Sequence, residues 1–157
     1  METQAIEVIE TEIILEEARS LNHSRLIGRL TVLLSAYEEQ YDILPELEFE
    51  LSAGRLKPDV AILPRLAYDW EADVICYPKP PITAIEIISP TQAFDAVVTK
   101  IRQYYFVSGV QSAWLVVPSV RSIFLFLPNQ PAVTVTAGGV LRDPATGIEL
   151  AMDTIFR

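Results

Sequence analysis

One cysteine, Cys76, and one histidine, His23, are present among 157 residues. A single thiol excludes an internal disulfide and any cysteine-based zinc cage. A single imidazole disfavours a histidine-based triad, and His23 reads first as a helix-start residue and only second as a site-lining group. Positive charge is scarce too: twelve Lys and Arg stand against 21 Asp and Glu, for a net charge of −9. That balance opposes non-specific binding to a polyanion. Long hydrophobic runs are missing; the longest, such as Ala113 to Pro118, fall far short of spanning a bilayer, and Met-Glu-Thr-Gln-Ala-Ile-Glu at the start has no basic leader region. Neither secretion nor a membrane is expected, and a reducing cytoplasm is the default location.

What is present is an ordinary globular composition, half hydrophobic and 21% charged. The length suits one domain over 1–157, with an acidic extension at about 1–18. Glu2, Glu7, Glu10, Glu12, Glu16 and Glu17 lie there without a Lys or Arg, which leaves residues 18–157 at only −3. The segment from Ala5 to Ala18 reads either as a helix or as a strand and a helical turn.

Ser20 or Asn22 can cap a first helix in which Leu26, Leu30, Leu33 and Leu34 recur at near-helical spacing up to about Tyr41. Pro45 interrupts it. Leu47, Phe49 and Leu51 then alternate with Glu46, Glu48 and Glu50 as a half-buried strand ending near Gly54. Asp59 to Leu63, bracketed by Pro58 and Pro64, predicts a short buried strand. The stretch from Arg65 to Pro81, with Tyr68, Trp70 and three acids, predicts a surface loop beside the site. Ile82 to Ile88 predicts a central strand with one charge, Glu86, planted in it. Ser89-Pro90-Thr91 starts a second helix on which Ala93, Val97, Ile101, Tyr104 and Tyr105 repeat until Gly109. Ala113 to Val117, Ser122 to Leu127 and Ala132 to Thr136 read as antiparallel strands, and Ile148 to Phe156 as a strand or short helix. The resulting order, α-β-β-β-α-β with extra C-terminal antiparallel strands, predicts an α/β (α+β) domain with a central mixed sheet flanked by helices.

A carboxylate inside an apolar strand requires a cation, a hydrogen-bond donor or a raised pKa. Glu86 is such a group, and Asp59 opens the neighbouring strand. Paired, the two offer hard oxygen ligands suited to Mg²⁺ or Mn²⁺. Two plainer readings stand beside this one: Asp59 merely starts a strand after proline, and Glu86 forms a structural ion pair with Arg55, Lys57 or Lys100.

Pro58-Asp59, Ile85-Glu86-Ile87-Ile88-Ser89-Pro90-Thr91, Lys100 with Tyr104, Gly109-Val110 and Trp114-Leu115-Val116 together resemble the Uma-type restriction endonuclease family of the PD-(D/E)XK nuclease superfamily. The resemblance spans roughly His23 to Trp114. It implies a restriction-endonuclease-like fold and metal-dependent hydrolysis of DNA phosphodiesters. Asp59, Glu86 and the Ile87 backbone carbonyl would hold the metal, Mg or alternatively Mn, and Lys100 would serve as the catalytic lysine. The parent pattern puts that lysine two residues after the acid, where this chain has Ile88; Lys100 on the following helix resembles a migrated substitute. Tyr104, His23 and Glu48 are further candidates to line the site. The acid that related nucleases carry on the first helix is replaced by Asn22 and His23, Val117 stands where the family often has an acid, and Asp95 is one residue out of register. A catalytically degenerate, oligomeric binding module is therefore the alternative. The apolar excess in so small a domain predicts a homodimer in either case.

Overall fold

The computed structural model describes residues 19–157; the acidic segment, and the expectation for Ala5 to Ala18, lie outside the described residues. Helix α1 (Leu21–Leu34) starts where Ser20 accepts the His23 N–H at 3.1 Å, a side-chain cap that satisfies one of the first-turn donors. It buries Leu26, Leu30 and Leu34, each such side chain contributing roughly 1.5–3 kcal/mol.

The helix ends earlier than its apolar spacing predicts. After a single tight turn at Ser35–Tyr37, strand β1 (Tyr41–Pro45) pairs antiparallel with β4 (Val60–Pro64). Tyr37 and Tyr41 continue the four-residue spacing of the α1 stripe, but they do so from a turn and a strand. Their hydroxyls reach the carbonyls of Glu149 and Thr146. The strand expected at Leu47 to Leu51 is also reassigned. Phe49–Leu51 (β2) pairs with Gly54–Leu56 (β3) in a separate hairpin, and Gly54, at φ 133°, makes the turn that a side chain would strain.

The other strands of the main sheet are β5 (Thr83–Ile87), β6 (Ser112–Val117), β7 (Ser122–Phe126) and β8 (Val133–Val135). They complete a six-stranded sheet in the order β1-β4-β5-β6-β7-β8, mixed because β5 and β6 run parallel while every other pair is antiparallel. A parallel pair needs a crossover, supplied here by α2 (Phe94–Lys100) and its continuation Ile101–Tyr105. Ile148 to Phe156 proves to be both alternatives in succession: β10 (Glu149–Ala151), paired with the unpredicted β9 (Val140–Arg142), followed by the single-turn α3 (Met152–Ile155).

Strand periodicity sorts the side chains between two cores. Ile85, Ile87, Trp114 and Val116 meet α1, α3 and the β9–β10 ribbon. Ala84, Ala61, Leu63 and Leu115 meet α2 and the β2–β3 hairpin. Glu86 belongs by alternation to the second face and, among the described residues, is the one charged side chain that the strands of the main sheet bury there. The loop from Arg65 to Pro81 is largely exposed, Trp70 to 90%, and Tyr77 ties its end to the hairpin through Glu48 and Glu50.

Candidate active site

Val60 faces Ile85 across the β4–β5 ladder, so the next step outward sets Asp59 beside Glu86 at one end of the sheet. Both are buried. Asp59 Oδ2 accepts the Ile87 N–H at 2.7 Å, which locks the start of one strand to the end of the other. Its Oδ1 lies 3.1 Å from His23 Nε2. The Ser20 cap fixes the first turn of α1 and thereby the imidazole, which is 3% exposed and whose Nδ1 has no hydrogen-bond partner. The tautomer follows from this: Nε2 carries the hydrogen that Asp59 accepts.

Glu86 Oε1 receives two donors, the Lys100 ammonium at 2.9 Å and the Tyr105 hydroxyl through a short hydrogen bond. Burial pushes the Glu86 carboxyl above the ordinary glutamate range. Lys100 opposes that shift, the neighbouring Asp59 charge adds to it, and the Tyr105 hydrogen bond opposes it again. Burial also raises the Tyr105 phenol well above its usual range, reinforced by the Glu86 charge. Tyr105 is thus held as a neutral donor.

A carboxyl raised on folding binds its proton more tightly in the native state, so its stabilising contribution is present at low pH and is lost as pH rises through the raised value. The difference in unfolding free energy between wild type and Glu86→Gln, measured by denaturant titration, should therefore fall as pH rises above the ordinary glutamate range. Tyr105→Phe, by removing a donor to the charged form, should extend that fall to higher pH. A difference that rises with pH would mean that Lys100 outweighs burial.

The arrangement offers two hard carboxylates, a cation and a phenol donor at one sheet end. A model of the Uma2 family, described as "Putative restriction endonuclease", matches residues 1–153. The chain belongs to the Uma2 family. A search of curated proteins finds no match. Among solved structures, a putative nuclease of the DUF820 group from Anabaena variabilis ATCC 29413 superposes with a TM-score of 0.77 at 18% identity, covering 88% of this chain and 82% of that one. A cryo-EM structure of a DrdV–DNA complex matches at a TM-score of 0.42 and 17% identity, over 68% of this chain and 9% of that one. The fold is the restriction-endonuclease-like one, a mixed six-stranded sheet between helices.

Within this Uma2 chain the structure brings together Asp59, Glu86, Lys100 and His23, and adds Tyr105. Tyr104, a candidate to line the site, is 43% exposed and does not touch Glu86; its neighbour does. The reason is the backbone. After Lys100 the helix widens, with the Phe106 N–H donating to the Ile101 carbonyl five residues back, and groups five apart come to one face. A four-residue helical step from Lys100 selects Tyr104, whereas the widened turn selects Tyr105. Glu48 is also displaced: it precedes the hairpin, its carbonyl takes the Tyr77 N–H, and its side chain makes no hydrogen bond or ion pair with Asp59, Glu86 or Lys100. Ile87 enters through its N–H. His23 is both the helix-start residue read from the sequence and a direct partner of Asp59.

The donor set bears on whether a divalent ion fits. Among the described residues no group of three or more His, Cys, Asp and Glu is placed to hold one. Two adjacent carboxylates nevertheless match the sparse protein contribution typical of Mg²⁺, which keeps waters and substrate oxygens as its other ligands. A carboxyl raised by burial, with its neighbour's charge adding to the shift, is what a dication would relieve. The pair fits such an ion.

Proposed function

We propose that this chain is a divalent-metal-dependent endonuclease acting on DNA, with Asp59, Glu86 and Lys100 at its catalytic centre. The observation that carries the proposal is the Asp59–Glu86 pair at adjoining strand ends with the Lys100 ammonium already on Glu86, in a chain of the Uma2 family. Asp59 and Glu86, with the Ile87 carbonyl as a third oxygen, would hold Mg²⁺ or Mn²⁺. When bound, the ion supplies Lewis acidity at a phosphate oxygen and acidifies water. Lys100, 31% exposed at its side chain, can leave Glu86 once that charge is neutralised and place its ammonium on the phosphate as negative charge develops. His23 keeps Asp59 turned toward Glu86, and Tyr105 holds Glu86 Oε1.

Purified protein should nick supercoiled plasmid in Mg²⁺ or Mn²⁺ and stop on addition of EDTA, and Asp59→Asn should remain inactive in both metals. A preparation that is folded, binds neither ion by calorimetry and never nicks would overturn the proposal. A second reading, a degenerate scaffold used as a binding module, is favoured by one observation: Lys100 and Tyr105 already satisfy Glu86 without a metal, so the cluster is also a coherent structural ion pair.

A further inference from the structure

We propose that the arginine-lined groove beside α1 carries the phosphodiester backbone of a nucleic-acid strand away from the Asp59–Glu86 pair, an inference that rests on the nuclease proposal for the centre itself. Two cavities of about 660 and 610 Å³ adjoin there, sharing Asn22, Pro118 and Ser119. The first opens at Ile88, Ser89 and Pro90, directly after the strand that bears Glu86, and is flanked by Ser20 and Asn22 around His23. The second continues past α1 to Arg25, Arg121 and Arg157. The groove therefore begins just past the end of the strand that bears Glu86 and ends in positive charge.

Its charge runs against that of the whole chain. At a net charge of −9, neither cavity is lined by an Asp or Glu side chain among the described residues, while three of the nine arginines line the second. Arg121 forms no ion pair with the described residues, and Arg25 donates one N–H to the main-chain oxygen of Arg157, the last residue of the sequence, at 2.8 Å, which leaves its other donors unengaged among the described residues. Guanidinium forks match phosphate geometry, and the polar stretch between, Ser89, Gln92, Asn22 and Ser119, offers neutral donors along the way. The first turn of α1 carries no acid of its own, and its Leu21 and Asn22 line this cavity. The other exposed feature suited to nucleic acid, the stacked pair Tyr68–Trp70, stands among Asp69, Glu71 and Asp73, whose charge repels phosphates.

The test is fluorescence anisotropy of a labelled DNA duplex across a salt series in EDTA, alongside plasmid nicking in Mn²⁺. Arg25→Gln with Arg121→Asn is the informative variant, since asparagine tolerates the positive φ of 45° at Arg121. Arg142→Gln, outside the groove and paired with Glu149, is the control. The expected result is binding weakened by roughly tenfold or more, with a salt slope shallower by about 0.9 for each phosphate no longer neutralised, and nicking reduced in parallel, while the control matches wild type. Wild type that nicks, with affinity and slope unchanged in the double variant, overturns the groove and leaves the nuclease proposal standing. Arginine-dependent binding without nicking in any divalent metal does the reverse. No binding and no nicking by a folded wild type overturns both.

Discussion

Glu86→Gln should lower plasmid nicking by about 100-fold or more while the chain stays folded, a loss of about 2.7 kcal/mol or more in transition-state stabilisation. The amide has the shape of the carboxyl but no charge. Its oxygen can still accept from the Tyr105 hydroxyl and from the Lys100 ammonium, which is partly exposed and keeps solvent as a partner for its charge. Since burial is the leading cause of the raised Glu86 carboxyl, removing the charge should leave stability at alkaline pH unchanged or increased. Loss of activity together with retained or higher Tm is the signature that separates a chemical role from a structural one. The measurements are initial nicking rates at saturating Mn²⁺, Mn²⁺ affinity by calorimetry, and a thermal melt at pH 8. Activity within a few-fold of wild type would remove Glu86 from the chemistry.

Asp143→Ala should have the opposite profile: destabilisation by about 3–5 kcal/mol, from breaking a buried charged network, with activity per folded molecule preserved. Asp143 is 1% exposed. Its Oδ2 accepts from Ser112 Oγ at 2.6 Å and Trp114 Nε1 at 2.8 Å, with Thr83 Oγ1 at 3.4 Å, and its Oδ1 caps the following turn by accepting the Ala145 N–H at 2.9 Å. Its own N–H donates to the Ile148 carbonyl, and its carbonyl accepts the Gly147 N–H. One residue thus ties the β9–β10 turn to the starts of β5 and β6. Truncation leaves the Trp114 N–H buried without an acceptor and unhitches the ribbon that closes the α1 core. At roughly 2–4 °C of Tm per kcal/mol for a chain of this size, a fall near 10 °C is expected. Asp143→Asn, which retains an acceptor oxygen, should lose less. An unchanged Tm in the alanine variant would show that Ser112 and Thr83, 2.6 Å apart, re-pair and leave Trp114 to solvent.

The legible parts of the site were those where chemistry and local pattern coincide. A single acid in a β-branched strand marked Glu86, proline before an aspartate at a strand start marked Asp59, and Lys100 followed on a helix whose spacing was clear. Tyr105 was obscured because a widened helical turn does not announce itself in side-chain spacing. Asp143 was obscured because a polar residue after a short strand looks like any turn residue until the donors of Ser112 and Trp114 converge on it. The apolar spacing overextends the first helix because Tyr37 and Tyr41 fall at a helical interval while lying on other elements.

By itself, then, the sequence determined the class of fold and singled out Asp59, Glu86 and Lys100 as candidates, because those features depend on periodicity and on the cost of burying charge, both of which are local. Tertiary structure alone decided that His23 supports Asp59, that Tyr105 rather than Tyr104 faces Glu86, and that Arg25 and Arg121 share one groove in an acidic chain. Each of those depends on which distant segments the sheet order brings to one edge, and strand order is set by the summed packing of two cores and cannot be read from any single stretch of residues.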